Sequence, residues 1–329
     1  MIRRQLAIAA AVVALALLGL FVGAASISPS DVWSALFARL GIGEAERLAD
    51  AVVWDIRMPR VIGGILVGGA LGASGAALQG LLRNSIAEPY LLGLSSAAGF
   101  GLVVGAWLTP SGSLPVLAAF LACLMAGATA VLIRRLAAGA VDANSLVLSG
   151  IAVGFALLAW TLLLIFSVDS PRLPTFTYFV FGGLGATTWK IVAVGAPLAV
   201  VGQGLLVSRS RQLDLVALGD VQAATLGVDV AVLTRVVLAA VGLTVGAAVS
   251  IAGVVGFVGL LAPLLGRRMV GPMHRGLIWA SVSLGAVIVL AADVTIRALA
   301  GNVEIPLGVV TAAVGGPVLV AILLRRRKL

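Results

Sequence analysis

The chain has 329 residues, of which 61% are hydrophobic and only 11% charged, with a mean hydropathy of +1.18. A soluble domain keeps roughly a quarter of its residues charged to cover its surface, so a water-soluble globule is excluded. The net charge of +9 comes from basic residues set between apolar blocks, which is a pattern of membrane loops and not of a nucleic-acid-binding face.

The apolar blocks predict ten helical spans, near residues 6–25, 61–82, 89–107, 115–133, 146–166, 189–207, 231–252, 254–266, 277–296 and 306–324. Most approach the ~20 residues that cross about 30 Å of hydrocarbon. Lipid offers the backbone no hydrogen bonds, so such blocks must be helices. The alternating segments of a membrane barrel are absent. The first block follows Arg3 and Arg4 and runs from Leu6 to Ala24, longer than a signal-peptide core and without an A-x-A cleavage pattern. It is therefore assigned as a span.

Next comes the stretch 26–56, with five acids, two arginines and apolar Val32, Leu36 and Leu40 at helical spacing. It is expected to be an extracytoplasmic amphipathic helix and loop. Gly64, Gly68 and Gly72 then form a small-residue ridge, with Gly75 just beyond it. Such ridges let helix backbones approach closely in lipid, or mark helices that slide. Cys123 stands alone inside an apolar block, so an intrachain disulfide or a cysteine metal site is excluded.

The stretch 208–229 is the longest polar interruption on its side. It reads as two short helices around a break at Gly219, with Asp220 able to cap the second, or as an ordinary loop. The eighth span is punctuated by Gly253, Gly256 and Gly259 and carries Pro263, so a half-length helix is expected. With the N-terminus inside, the inner side receives Arg3, Arg4, Arg83, Arg134, Arg135, Arg209, Arg211, Arg267, Arg268, Arg275 and the basic tail. That satisfies the positive-inside rule. Arg57, Arg60 and Arg297 are exceptions at outer helix ends.

No G-x-x-x-x-G-K-[ST] loop exists, and the only lysines are Lys190 and Lys328, so nucleotide hydrolysis would sit on another polypeptide. The mid-span polar residues Gln79, Thr129, Thr161, Thr244 and Ser250 are neutral. An ion-coupled carrier would place acids or histidines there. His274, the single histidine, falls in an inner loop and reads as a surface residue, not as a metal or haem ligand. An intramembrane enzyme would need a nucleophile–base pair or a metal cluster, and neither is found.

The stretch Arg57 to Gly99 carries an R-x-P-R signature (Arg57, Met58, Pro59, Arg60), a Gly/Ala-rich helix ending at Gln79, and Asn84, Ala87, Pro89, Leu91, Leu92 and Gly93 in order. Further matches follow at Leu146 to Gly154, Leu213 to Val230 and Gly256 to Arg268. From Ala291 the motifs D-x-x-x-R, E-x-P-x-G and G-x-P appear in turn. Nearly the whole chain thus resembles the permease subunits of binding-protein-dependent ABC importers for iron-siderophores, haem and vitamin B12, the FecCD type. Ser85 departs from the family's usual proline and Leu264 from its usual histidine.

The resemblance implies a single all-α transmembrane permease domain over 1–329, with about ten transmembrane helices in a vitamin B12 importer-like fold. It implies a homodimer in the bacterial cytoplasmic (inner) membrane, with both termini cytoplasmic. The partners implied are cytoplasmic ABC ATPase subunits, which hold ATP and Mg, and an extracytoplasmic substrate-binding protein. No cofactor is expected in this chain. The implied cargo is an iron chelate (siderophore or haem), or alternatively cobalamin, moved by alternating access. Arg57, Arg60 and Arg297 would meet acids of the binding protein; snorkelling, or an internal pair of Asp293 with Arg297, is the structural alternative. Leu213, Asp214, Leu215, Leu218, Gly219, Asp220, Ala223, Leu226 and Gly227 would form the ATPase-coupling segment. Gln79, Asn84, Ile86, Asn144 and Ser145 would line the pathway or its inner gate.

Overall fold

The computed structural model describes residues 2–39, 41–90, 93–108, 117–119, 121–122, 125, 143–167, 180–299 and 305–326. In chain order its helices are α1 (Ile2–Phe21), α2 (Pro29–Ala38), α3 (Arg47–Ala51), a π-helical turn (Val52–Arg57), α4 (Met58–Leu81), α5 (Leu94–Leu108) and α6 (Ala143–Phe166). These are followed by α7 (Trp189–Ser208), α8 (Ser210–Val216), α9 (Asp220–Thr225), α10 (Val230–Ala252), α11 (Val258–Val270), α12 (His274–Leu299) and α13 (Leu307–Arg326). Among the described residues, six helices are long and apolar enough to cross a membrane, and α5 and α13 add two shorter apolar ones. Nine of the ten expected spans coincide with helices; the block 115–133, with Cys123 and Thr129, lies mainly outside the described residues.

α4 is the hub. Apolar all round, it is buried along nearly its whole length and packs against α7, α10, α11 and α12. The glycine ridge makes this possible. A Cβ added at Gly68 would collide with the backbone of Gly285 in α12, one at Gly72 with Ser281 O, and one at Gly75 with Gly259 O of α11. The ridge is therefore a backbone-to-backbone seam joining three helices.

The segment 26–57 differs in part from the expected helix and loop. α2 starts at Ser28, whose Oγ accepts the Asp31 N–H, with Pro29 in the first turn. Residues 47–57 do not form a loop but prolong α4 at its N-terminal end, giving a continuous helix Arg47–Leu81. Its 35 residues span about 52 Å, more than the hydrocarbon needs. Trp54 donates from Nε1 to Ala35 O at 2.9 Å, and Arg39 pairs with Asp50 at 3.1 Å, so α2 folds back onto this extension.

α11 is the expected half-length helix. α10 stops at Gly253 (φ 66), and α11 starts after Phe257, which is held in left-handed backbone (φ 66). Pro263 has no N–H to give to the carbonyl of Gly259 one turn earlier. Nε2 of Gln79 faces that carbonyl at 3.5 Å, and Oε1 of Gln79 accepts from Nη1 of Arg267 at 2.6 Å. Gln79 thus serves the α4–α11 packing inside the subunit. Thr244, Thr161 and Ser250 likewise bond carbonyls of their own helices.

Candidate transport pathway and coupling face

At the end of the bundle where α4 begins, two arginines share one carboxylate and a third is held by backbone carbonyls. Arg57 is only 3% exposed and donates from Nη1 to Leu20 O (2.7 Å) and Phe21 O (3.2 Å), and from Nη2 to Ala25 O (2.6 Å). Arg297 donates to Gly19 O at 2.8 Å and to Val22 O, and pairs with Asp293 at 2.8 Å. Arg60 reaches the same Asp293 at 2.8 Å from a partly exposed position. The carbonyls belong to the last turn of α1 and the residues just after it, where they lack helical partners and carry the negative end of the helix dipole. Carboxylate and carbonyls together offset the guanidinium charges. Arg57 and Arg297 are therefore turned inward and fasten α1 to α4 and α12. Of the three, Arg60 has the most accessible side chain. The pair of Asp293 with Arg297 anticipated from the i,i+4 spacing is present.

On the opposite end, α8 and α9 form a bent pair. Ser210, Leu213 and Val216 bury the face of α8 that meets α4 and α12. The chain turns at Gly219, whose φ of 121 is strained for any residue with a Cβ. α9 then tucks Ala223 inward and leaves Leu218 63% and Val221 76% exposed, with Leu226 exposed beyond it. Of the coupling-segment leucines, Leu215 packs against the core and Leu218 projects. Gly227 (φ 84) closes the turn, and Asp229 caps α10 through Val232 N–H. An open groove of about 710 Å³ runs between α9 and the start of α10, lined by Asp220, Val221, Ala224, Thr225, Val228 and Asp229.

His274 is not a surface residue. It is 5% exposed, and Oδ1 of Asp214 accepts its backbone N–H at 2.8 Å and lies 2.7 Å from Nδ1. The expectation failed because Asp214 of α8 caps the start of α12 at His274 and holds its ring, a contact between residues 60 apart in sequence. Asp214 is correspondingly engaged inside the subunit instead of projecting outward. Asp220 pairs with Arg83 at 3.3 Å.

Between α4 and α5 the chain makes a tight loop. Oδ1 of Asn84 accepts Ile86 N–H at 3.0 Å, and this leaves the Ile86 side chain 44% exposed. Asn144 and Ser145 lie in the first turn of α6, with side chains outside the described set. Ile86 borders a cleft of about 490 Å³ together with Glu88, Tyr90, Phe181, Phe257 and Val309. Glu88 is the ionisable group with a buried carboxyl among these described residues. It lies outside the spanning helices, and burial pushes its carboxyl up to about 7, opposed by a hydrogen bond from Phe257 N–H. Glu88 was not singled out from the sequence. An acid between Ala87 and Pro89 in an apolar stretch was the available signal. Among the described residues no cluster of three His, Cys, Asp or Glu could hold a metal.

A helical bundle with an apolar cleft on one face and a bent helix pair at one end defines a multi-pass membrane permease. The chain matches the FecCD transport family over residues 11–325 and belongs to it. It is an ABC importer permease, of a family that transports and does not catalyse, so ATPase and binding-protein partners are expected. It is 37% identical over 318 residues to the vitamin B12 import system permease protein BtuC of Escherichia coli O9:H4 (strain HS), covering 95% of this chain and 92% of that one. It is 35% identical over 294 residues to the uncharacterized ABC transporter permease protein YvrB of Bacillus subtilis (strain 168), covering 87% and 82%. A solved transporter described as of metal-chelate ABC type, in an inward-facing conformation, superposes with a TM-score of 0.85 at 25% identity, covering 99% of this chain and all of that one. PsaBC of Streptococcus pneumoniae, solved with a Fab, shares the fold alone, at a TM-score of 0.58 and 15% identity over 82% of this chain and 91% of that one.

Proposed function

We propose that this chain forms, as a homodimer, the membrane pathway of an importer for a large metal chelate, with an iron chelate (siderophore or haem) as cargo. The observation that carries the mechanism is the α8–α9 pair. One face is buried against α4 and α12, while Leu218 and Val221 stand exposed beside an open groove. An exposed apolar knob of this kind fits a groove on a partner, here the cytoplasmic ATPase, which would bind ATP and Mg. On this reading both termini lie in the cytoplasm and the arginine cluster on the outer face, where Arg60 would meet an acid of the binding protein. The cleft beside Ile86 lies on the proposed pathway, which ATP binding would open alternately to the two sides. Cobalamin is the second reading, favoured by the near full-length likeness to BtuC.

The deciding experiment reconstitutes the chain with a partner ATPase and binding protein in vesicles and compares ATP-dependent uptake of ferrichrome-iron, haem and cyanocobalamin. Uptake of an iron chelate supports the first reading, and uptake of cyanocobalamin alone selects the second. Uptake driven by an ion gradient with no ATPase present would overturn both.

A further inference from the structure

Two polar contacts fasten the α8–α9 segment to the body of the subunit, and both bear on the end of α4. Asp214 in α8 holds His274 through the backbone N–H and the ring Nδ1. The other ring nitrogen, Nε2, is buried without a hydrogen-bond partner. It presses on Gly80 in the last turn of α4, where an added Cβ would collide with the ring. Three residues on, Arg83, held in left-handed backbone (φ 50), reaches Asp220 of α9 at 3.3 Å. Asn84 and Ile86 follow directly. Packed groups with no free volume between them transmit displacement, so movement of α8–α9 shifts the end of α4 through the imidazole.

We propose that His274 is a positioning residue that carries movement of the α8–α9 segment to the end of α4 and hence to Asn84 and Ile86. This rests on the reading of α8–α9 as the ATPase contact. The imidazole acts as a spacer, gripped by Asp214 on one side and seated on the bare backbone of Gly80 on the other. The Arg83–Asp220 pair is a second, solvent-facing strut on the same helix end.

The test uses the full permease–ATPase assembly in vesicles, with Ile86→Cys as a reporter in a Cys123→Ser background. The rate of maleimide labelling at this position is measured without nucleotide and after trapping with ATP and vanadate. The parent protein should show two distinct rates. His274→Ala and Asp214→Ala should keep ATP hydrolysis while the nucleotide-dependent change shrinks, by roughly tenfold. Asp214→Asn keeps an acceptor oxygen for both His274 contacts and should restore the response. Arg83→Asp and Asp220→Arg should each weaken it, and the double exchange should recover it. An undiminished response in His274→Ala and Asp214→Ala overturns the proposal, as does an Asp214→Asn variant as defective as Asp214→Ala. If His274→Ala does not assemble, the Asp214 pair of variants decides. A parent protein that shows no nucleotide response, or recruits no ATPase, sinks the ATPase-contact reading itself.

Discussion

Arg57 and Arg60 lie three residues apart, yet one is buried among carbonyls and the other, partly exposed, shares a buried carboxylate. Replacing Arg57 with Ala strands the carbonyls of Leu20, Phe21 and Ala25, at a cost of about 2–4 kcal/mol. The purified protein should lose thermal stability accordingly, and Arg57→Lys should recover only part of it because an ammonium lacks the planar fork. Arg60→Gln keeps a donor for Asp293, which Arg297 still holds, and on the proposed docking reading should weaken binding-protein affinity, read by titration of the outer partner. Glu88 makes a pH-dependent prediction. Its carboxyl titrates near 7 in the fold against an ordinary value of 4.5, so the folded state prefers the protonated form. Its contribution is fully present below about pH 4.5 and is lost as pH rises through 7, amounting to about 3 kcal/mol. Melting curves between pH 5 and 8 should therefore flatten in Glu88→Gln, which keeps an acceptor for Phe257 N–H.

At the scale of elements, the α4 ridge is the feature least tolerant of change. Gly68→Ala sets a methyl against the backbone of Gly285, where no side chain can rotate away. Overpacking of this kind costs about 1–3 kcal/mol, and a drop in melting temperature, with α12 more open to proteolysis, is the expected outcome. Gly204, where an added methyl would meet open space, is the control: Gly204→Ala should leave stability unchanged or slightly higher. The α8–α9 pair behaves differently because its outward face packs on nothing within the subunit. Leu218→Asp should leave the melting curve in place and weaken co-purification of the ATPase by tenfold or more, about the loss of one interface anchor.

For the whole molecule, the helices were legible in the sequence and their contacts were not. Hydropathy over ~20 residues is a local property, so nine spans, the half-length α11 and the break at Gly219 could be placed from residue order alone. The family's motifs in order likewise identified the class before any contact was known. The chain also marked which residues were unusual: arginines at outer helix ends, a glycine ridge, a short span with Pro263. It did not say what answers them. Arg60 meets Asp293 across 233 residues and Gln79 meets Arg267 across 188, and in a hydrocarbon setting each polar group must find such a partner. Which group it finds depends on how helices cross, and the crossing is set by backbone contacts such as Gly68 on Gly285. Residue order therefore determined that this is a multi-span permease and where its helices run. Only the tertiary structure decided that Arg57 staples α1 to α4, that Gln79 packs between α4 and α11 and that His274 is buried against Asp214, because each contact is with a residue distant in the chain.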